Sequence, residues 1–306
     1  MIVTSIVDVR KFMPDVVGDT NSYVNISPFL EDYEEKLKKK LGEATFALVD
    51  PAEPEEGVEP VEVDPKLLEL CQGYIVYMAY FARLPLMNVT IGENGLQVNW
   101  SDTHRPATPE QLKKTQHSIL GLAQSKFEAL IEYLNKTAPE AWKTSSNYKI
   151  INRLLFKDSE TLCLILNLSD SARLFFLMAN NIYRHQMLDL EPIVGATELK
   201  ALRVKVYANT ALSVDEQKVL DLCLSYLANI SMSEIIITTT EEDLPIYLLS
   251  VMDKDTRAAY SSRLAAQAKT DLALLQKHIL DVSIPDEAPH DNIPDNTDTT
   301  RKTFRA

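Results

Sequence analysis

The chain has 306 residues, 45% of them apolar and 25% charged, which is enough material for two ordinary globular cores. Its net charge of −13 argues against a general nucleic-acid binder, because phosphates need a basic footprint. Eight glycines are too few for Gly-rich phosphate loops or a turn-dense barrel. The odd set Cys71, Cys163 and Cys223 reads as reduced, buried thiols.

The opening MIVTSIVDVRKF lacks a charged n-region and carries Asp8 among its apolar residues, so no signal peptide is expected. The first predicted helix is Pro28–Leu41, with Ser27 as cap, Pro28 at its first position, and Glu31 and Asp32 at its positive end. Lys36, Lys38, Lys39 and Lys40 stand at the negative end, and Gly42 is placed as the stop. The Lys run therefore reads as a solvated helix end. An acidic, Pro-containing loop, Ala52–Glu62, leads to a helix from Pro65, capped by Asp64, to Arg83. That helix is apolar on nearly every side, as a central packed helix should be. The run Cys71–Leu86 inside it is too short and interrupted for a membrane span.

Two β-prone runs, Val89–Ile91 and Leu96–Val98, flank Glu93-Asn94-Gly95 and predict a hairpin closed by Trp100. Thr108-Pro-Glu-Gln111 is a capping box opening a helix to about Leu134. Further helices are predicted over about 171–190, from Ser213, another capping box, and over about 254–280. The run Ile235–Thr240, IIITTT, reads as a β segment before the last of these. From Val282 the sequence turns polar and Pro-containing, and it is expected to be disordered alone.

The two halves echo each other. Gly195 follows Gly42 by 153 residues, Cys223 follows Cys71 by 152, and Ala268 follows Ala123 by 145. The shift shrinks only across the hairpin. The expected fold is mainly α: two tandem copies of a helical unit, each with a small β hairpin or β segment, then a flexible tail. The boundaries are 1–150, 151–281 and 282–306.

No P-loop, GxGxxG, GxSxG or HExxH motif is present, and the five histidines show no ligand spacing. Asp253-Lys-Asp255 and Glu241-Glu-Asp243 do not continue into a calcium loop. Cys71 and Cys163 sit in apolar surroundings unsuited to thiolate catalysis. No catalytic residue, metal or cofactor is expected, and the chain reads as a non-enzyme. An enzyme of unfamiliar type would draw on Tyr74 and Glu69 and would need a strongly shifted carboxylate. The candidate partner-binding residues are the hairpin's Asn94, Gly95 and Trp100. With them stands the cationic–aromatic tip Arg301, Lys302, Phe304 and Arg305, which follows the acidic Asp286, Asp291 and Asp295.

The stretch VRKFMPDVVGDTNSYVNISPFLEDYEEKLKKKLGEATFALV resembles the opening of head–tail connector (adaptor) proteins of tailed phages. The chain as a whole resembles an uncharacterised phage and prophage family in which the FLEDYEEKLKKKLG phrase recurs. The resemblance implies a virion structural protein, a connector or head-completion subunit forming an oligomeric ring between portal and tail. It implies protein partners (portal, tail or neighbouring ring subunits), assembly in the host cytoplasm, and neither sequence-specific nucleic acid nor membrane. Two units in one chain depart from the simple connector pattern. The alternative is a soluble intracellular helical-repeat adaptor that binds a peptide or protein partner between its two units.

Overall fold

The computed structural model describes residues 1–14, 20–51, 63–87, 89–92, 95–98, 107–240, 242–244 and 253–283. The chain is mainly helical. In the first half run α1 (Ile6–Arg10), α2 (Thr20–Leu41), α3 (Glu43–Phe46) and α4 (Pro65–Met87). A short antiparallel ladder follows, β1 (Val89–Gly92) against β2 (Gly95–Val98), with Val89 opposite Val98 and Gly92 opposite Gly95. It adds no layer to the architecture. Next come α5 (Pro109–Thr137), α6 (Glu140–Thr144) and α7 (Ser146–Ile151). The second half contains α8 (Ser159–Ile165), α9 (Ala172–His185), a π turn (Gln186–Leu190), α10 (Glu191–Val194), α11 (Ala196–Tyr207), α12 (Val214–Thr238) and α13 (Lys254–Ser283).

Two hydrophobic cores result. In the first, α4 packs on α5 and α2, and Leu30, Leu37, Cys71, Ile75, Leu130 and Trp142 are buried completely or nearly so. In the second, α12 packs on α13 and α9 around Leu174, Met178, Cys223, Leu227, Met232 and Ala268. α12 is long and apolar enough to cross a membrane by length and composition, but 67% of its most apolar window is buried against its own chain. That is the setting of a core helix.

Local chemistry explains the helix boundaries. Asp64 Oδ1 accepts from the amides of Lys66 and Leu67 at the start of α4. Thr108 with Gln111, and Ser213 with Glu216, form reciprocal capping boxes at the starts of α5 and α12. Gly42 and Gly195 interrupt helices with φ, ψ of 88°, 147° and 97°, 137°. Such positive φ with extended ψ is accessible mainly to glycine.

Two expectations are corrected. The first helix does not begin at Pro28: α2 runs from Thr20, and Pro28 lies inside it. Pro28 has no N–H to give the Val24 carbonyl, and the Ser27 hydroxyl donates to that carbonyl instead, at 3.2 Å. Ser27 thus repairs the helix rather than capping it. The β segment expected at Ile235–Thr240 is also absent, because α12 continues through Thr238. Ala228, Ser231, Met232, Ile235 and Ile236 are all buried, and their i, i+3, i+4, i+7, i+8 spacing is one helical stripe. Packing on that stripe outweighs the β preference of three isoleucines and three threonines.

Candidate functional site

Of the residues singled out in the sequence, Gly95 opens β2 opposite Gly92. Asn94, Trp100, Arg301, Lys302, Phe304 and Arg305 lie outside the described residues. The described residues instead bring polar side chains of both cores together where the cores meet, with Gln124 and Arg173 buried and Lys40 and Asp243 partly buried.

That junction is built around the segment 242–244, between α12 and α13. Lys40, near the end of α2, sets its ammonium 2.5 Å from Asp243 Oδ1 and 3.4 Å from the Tyr74 hydroxyl. From α9, Arg173 donates to the Asp243 carbonyl at 2.6 Å and reaches Gln124 Oε1 at 3.4 Å. Gln124, on α5, in turn donates to the Leu244 carbonyl at 2.6 Å. Glu128, one turn further along α5, accepts from Ser171 Oγ at 2.7 Å and from the Arg173 amide at 3.1 Å, so α5 helps to cap α9. Asn147 donates to the Lys40 carbonyl at 2.6 Å and satisfies the end of α2. Beside this network, Phe176 of α9 meets Phe127 of α5 edge-on and stacks on Trp142.

Three helices from two cores therefore grip one short segment. Burial alone pulls the Lys40 ammonium down, but Tyr74 and Asp243 outweigh it, so it is held above its ordinary value. Burial pushes the Tyr74 hydroxyl up. Both groups keep their resting protonation at neutral pH, and the cations are occupied with carboxylate and carbonyl oxygens. The arrangement acts as a clasp. A cleft of about 260 Å³ opens beside it, lined by Lys39, Lys40, Phe127, Asn147, Arg173 and Asp243 among others.

A second cluster surrounds the π turn. His185 Nδ1 lies 2.6 Å from Asp189 Oδ2, and Nε2 lies 3.1 Å from Glu234 Oε1. The Tyr226 hydroxyl donates to Asp189 at 2.5 Å, and Arg184 pairs with Glu234. Burial first, and Asp189 second, push the Tyr226 hydroxyl up. With a carboxylate on each ring nitrogen, His185 has no lone pair open to a substrate; it ties α9 to α12. Sequence reading missed this cluster and the clasp alike. The available signals were the His185–Asp189 i,i+4 spacing and Arg173 on the apolar face of α9.

The pair named for an unfamiliar enzyme separates in the fold. Tyr74 is buried, while Glu69 is ion-paired with Lys126 at 3.0 Å and Lys66 at 3.2 Å. Hydrogen bonds from Lys126 and Lys66 hold the Glu69 carboxyl below its ordinary value, the wrong direction for a general acid. The three thiols are buried, and burial pushes Cys71 and Cys223 up to about 12 and Cys163 up to about 11. Such thiols are poor nucleophiles.

The buried side chains of the first core end at Trp142, and those of the second begin at Leu154. Residues 26–152 match the model of a family of unknown function, DUF6712. The DUF6712-like span thus covers nearly all of the first core and that core's share of the clasp, Lys40, Tyr74, Gln124, Glu128 and Asn147, while Arg173, Asp243 and the second core lie beyond it. No curated protein and no solved structure matches the chain.

Proposed function

We propose that this chain is a virion structural protein, a head–tail connector or head-completion subunit that assembles with copies of itself between portal and tail. The observation that carries the reading is how the buried and partly buried polar groups at the core junction and the π turn are used. Lys40, Arg173, Gln124 and Asp243 hold one core to the other, and His185, Asp189 and Glu234 hold helix to helix. A subunit under load in an assembly needs such internal clasps, whereas catalysis needs a group left available. The resemblance of the N-terminal 41-residue stretch to connector openings points the same way. On this reading the chain has no enzymatic activity, and its partners are portal, tail and neighbouring ring subunits.

The same proposal includes a tandem duplication. Gly42 and Gly195 share a backbone conformation, each just ahead of a new helix. Cys71 and Cys223 are both buried in the central helices α4 and α12, and Ala123 and Ala268 are both fully buried in the helices packed on them, α5 and α13. The β element is not shared, since its second-half counterpart is helical.

The test is the mass in solution by light scattering, for the chain alone and mixed with purified portal and tail proteins. A discrete oligomer of many copies, formed alone or with a partner, is expected. A monomer in every mixture would overturn the connector reading and leave the peptide-binding adaptor. The cleft between the cores favours that second reading, but its volume of about 260 Å³ is small beside the ~300–1,000 Å³ usual for ligand sites.

A further inference from the structure

One cavity lies away from the clasp. It is a groove of about 430 Å³ among α10, α11, α12 and α13. Its floor is apolar, with Val194, Leu202, Val219 and Ile279, and the exposed Val282 forms part of its wall. Its rim is acidic. Glu216 is engaged by Lys205 and by the Ser213 cap, but Glu198 and Asp215 are exposed carboxylates. His278 also lines the groove. Its side chain is only 10% exposed, and its Nε2 is shielded from solvent with no hydrogen-bond partner. The Asp215 carboxylate, at 3.8 Å, is beyond hydrogen-bonding distance. A shielded ring nitrogen without a partner is costly, and it marks a place where a polar group of an occupant belongs.

An occupant for this groove needs an apolar side chain for the floor and positive charge for the rim. The chain contains one such segment beyond its described residues: Arg301-Lys302-Thr303-Phe304-Arg305. The residues between it and α13 carry Asp286, Glu287, Asp291, Asp295 and Asp298, which the acidic rim repels. Only the tip fits. α13 ends at Ser283, beside Val282 of the groove wall, so 17 residues separate the groove from Arg301. A fully flexible linker of that length spans about 20–25 Å root-mean-square, and prolines and like charges lengthen it, which still leaves the tip tethered within reach of the groove.

We propose that the groove receives the chain's own Arg301–Arg305 segment. Phe304 fills the Val194–Leu202–Val219–Ile279 floor, the flanking cations meet Glu198 and Asp215, and a backbone group of the segment partners His278 Nε2. The proposal does not depend on the connector reading, since a monomer can dock its own tail, and a failure here leaves that reading untouched.

The experiment is site-specific photocross-linking in the full chain carrying Phe304→benzoylphenylalanine, at low micromolar concentration, with peptide mapping by mass spectrometry. The expected result is a monomer-mass product in which position 304 is joined to residues of α11, α12 or the end of α13. Cross-links elsewhere, or none, would overturn the proposal. Groove cross-links found only at dimer mass would overturn the assignment to the same chain. Adding Glu198→Lys and Asp215→Lys should lower the groove yield about fivefold through loss of two rim contacts. Where the link falls in the chain with its groove intact decides the matter whether or not that variant folds.

Discussion

Asp64 ties two elements together with one carboxylate: it caps α4 through the Lys66 and Leu67 amides, and it accepts the Tyr133 hydroxyl of α5 at 2.7 Å. Burial alone raises its pKa, but the Tyr133 hydroxyl and the two amides outweigh burial and hold the carboxyl below its ordinary value of 3.8. A carboxyl depressed in the folded state contributes stability that is complete above its unfolded pKa and is lost as pH falls through the folded one. Asp64→Asn keeps an acceptor but loses the charge at the helix start. We expect it to be less stable than the parent by about 0.5–1 kcal/mol at pH 7. That gap should close as the pH drops below 3.8, in urea titrations of the two proteins at pH 7 and pH 3. A gap of equal size at both pH values would show that the charge is not what Asp64 contributes. In the sequence, Asp64 was legible as a cap because capping is local. Its bond to Tyr133 spans 69 residues and left no local trace.

At the scale of elements, α2 and α12 teach opposite lessons about local rules. Proline at a first helical position is a sound expectation, yet α2 runs eight residues upstream of Pro28, with Tyr23 and Ile26 helping to hold the extra turns in place. Ile26 is fully buried, and the Tyr23 hydroxyl donates to the Val3 carbonyl at 2.8 Å. Those tertiary contacts offset the lost hydrogen bond of an interior proline. Replacing Pro28 with Ala restores the missing N–H, and a gain of about 1–3 kcal/mol is expected. Thermal unfolding followed by circular dichroism would measure it, and a drop in midpoint would mean that the proline ring itself is needed. In α12 the misleading signal was β-branching. The correct one was there to read: Ala228, Ser231, Met232, Ile235 and Ile236 keep a helical period through the isoleucine run.

For the whole molecule, the feature that joins one core to the other is the clasp. Arg173 is 7% exposed and holds the Asp243 carbonyl, while Gln124 and Lys40 hold the same segment from the other core. Arg173→Met removes the charged donor and leaves buried acceptors without it, at a cost of about 2–3 kcal/mol. We expect the parent to unfold in one transition by both tryptophan fluorescence and far-ultraviolet circular dichroism. With Trp100→Phe in both proteins, so that Trp142 alone fluoresces, the two signals should separate in Arg173→Met, since Trp142 reports the first core and helicity reports both. Coincident curves in the variant would mean that apolar contacts such as Phe127–Phe176–Trp142 are sufficient to couple the cores.

Local chemistry alone was enough to read the helical class, the central burial of the helix after Asp64, both capping boxes and the two glycine stops. Each depends on residues within a turn or two of one another, where periodicity and capping chemistry act directly. Tertiary packing was needed to place Pro28 inside a helix and Lys40 in a clasp rather than at a solvated helix end, and to settle the competing helical and β signals of Ile235–Thr238 in favour of helix. These outcomes rest on partners far along the chain, up to the 203 residues between Lys40 and Asp243. Burial against a distant partner carries more free energy than local preference, and a single sequence contains the preferences without the partners.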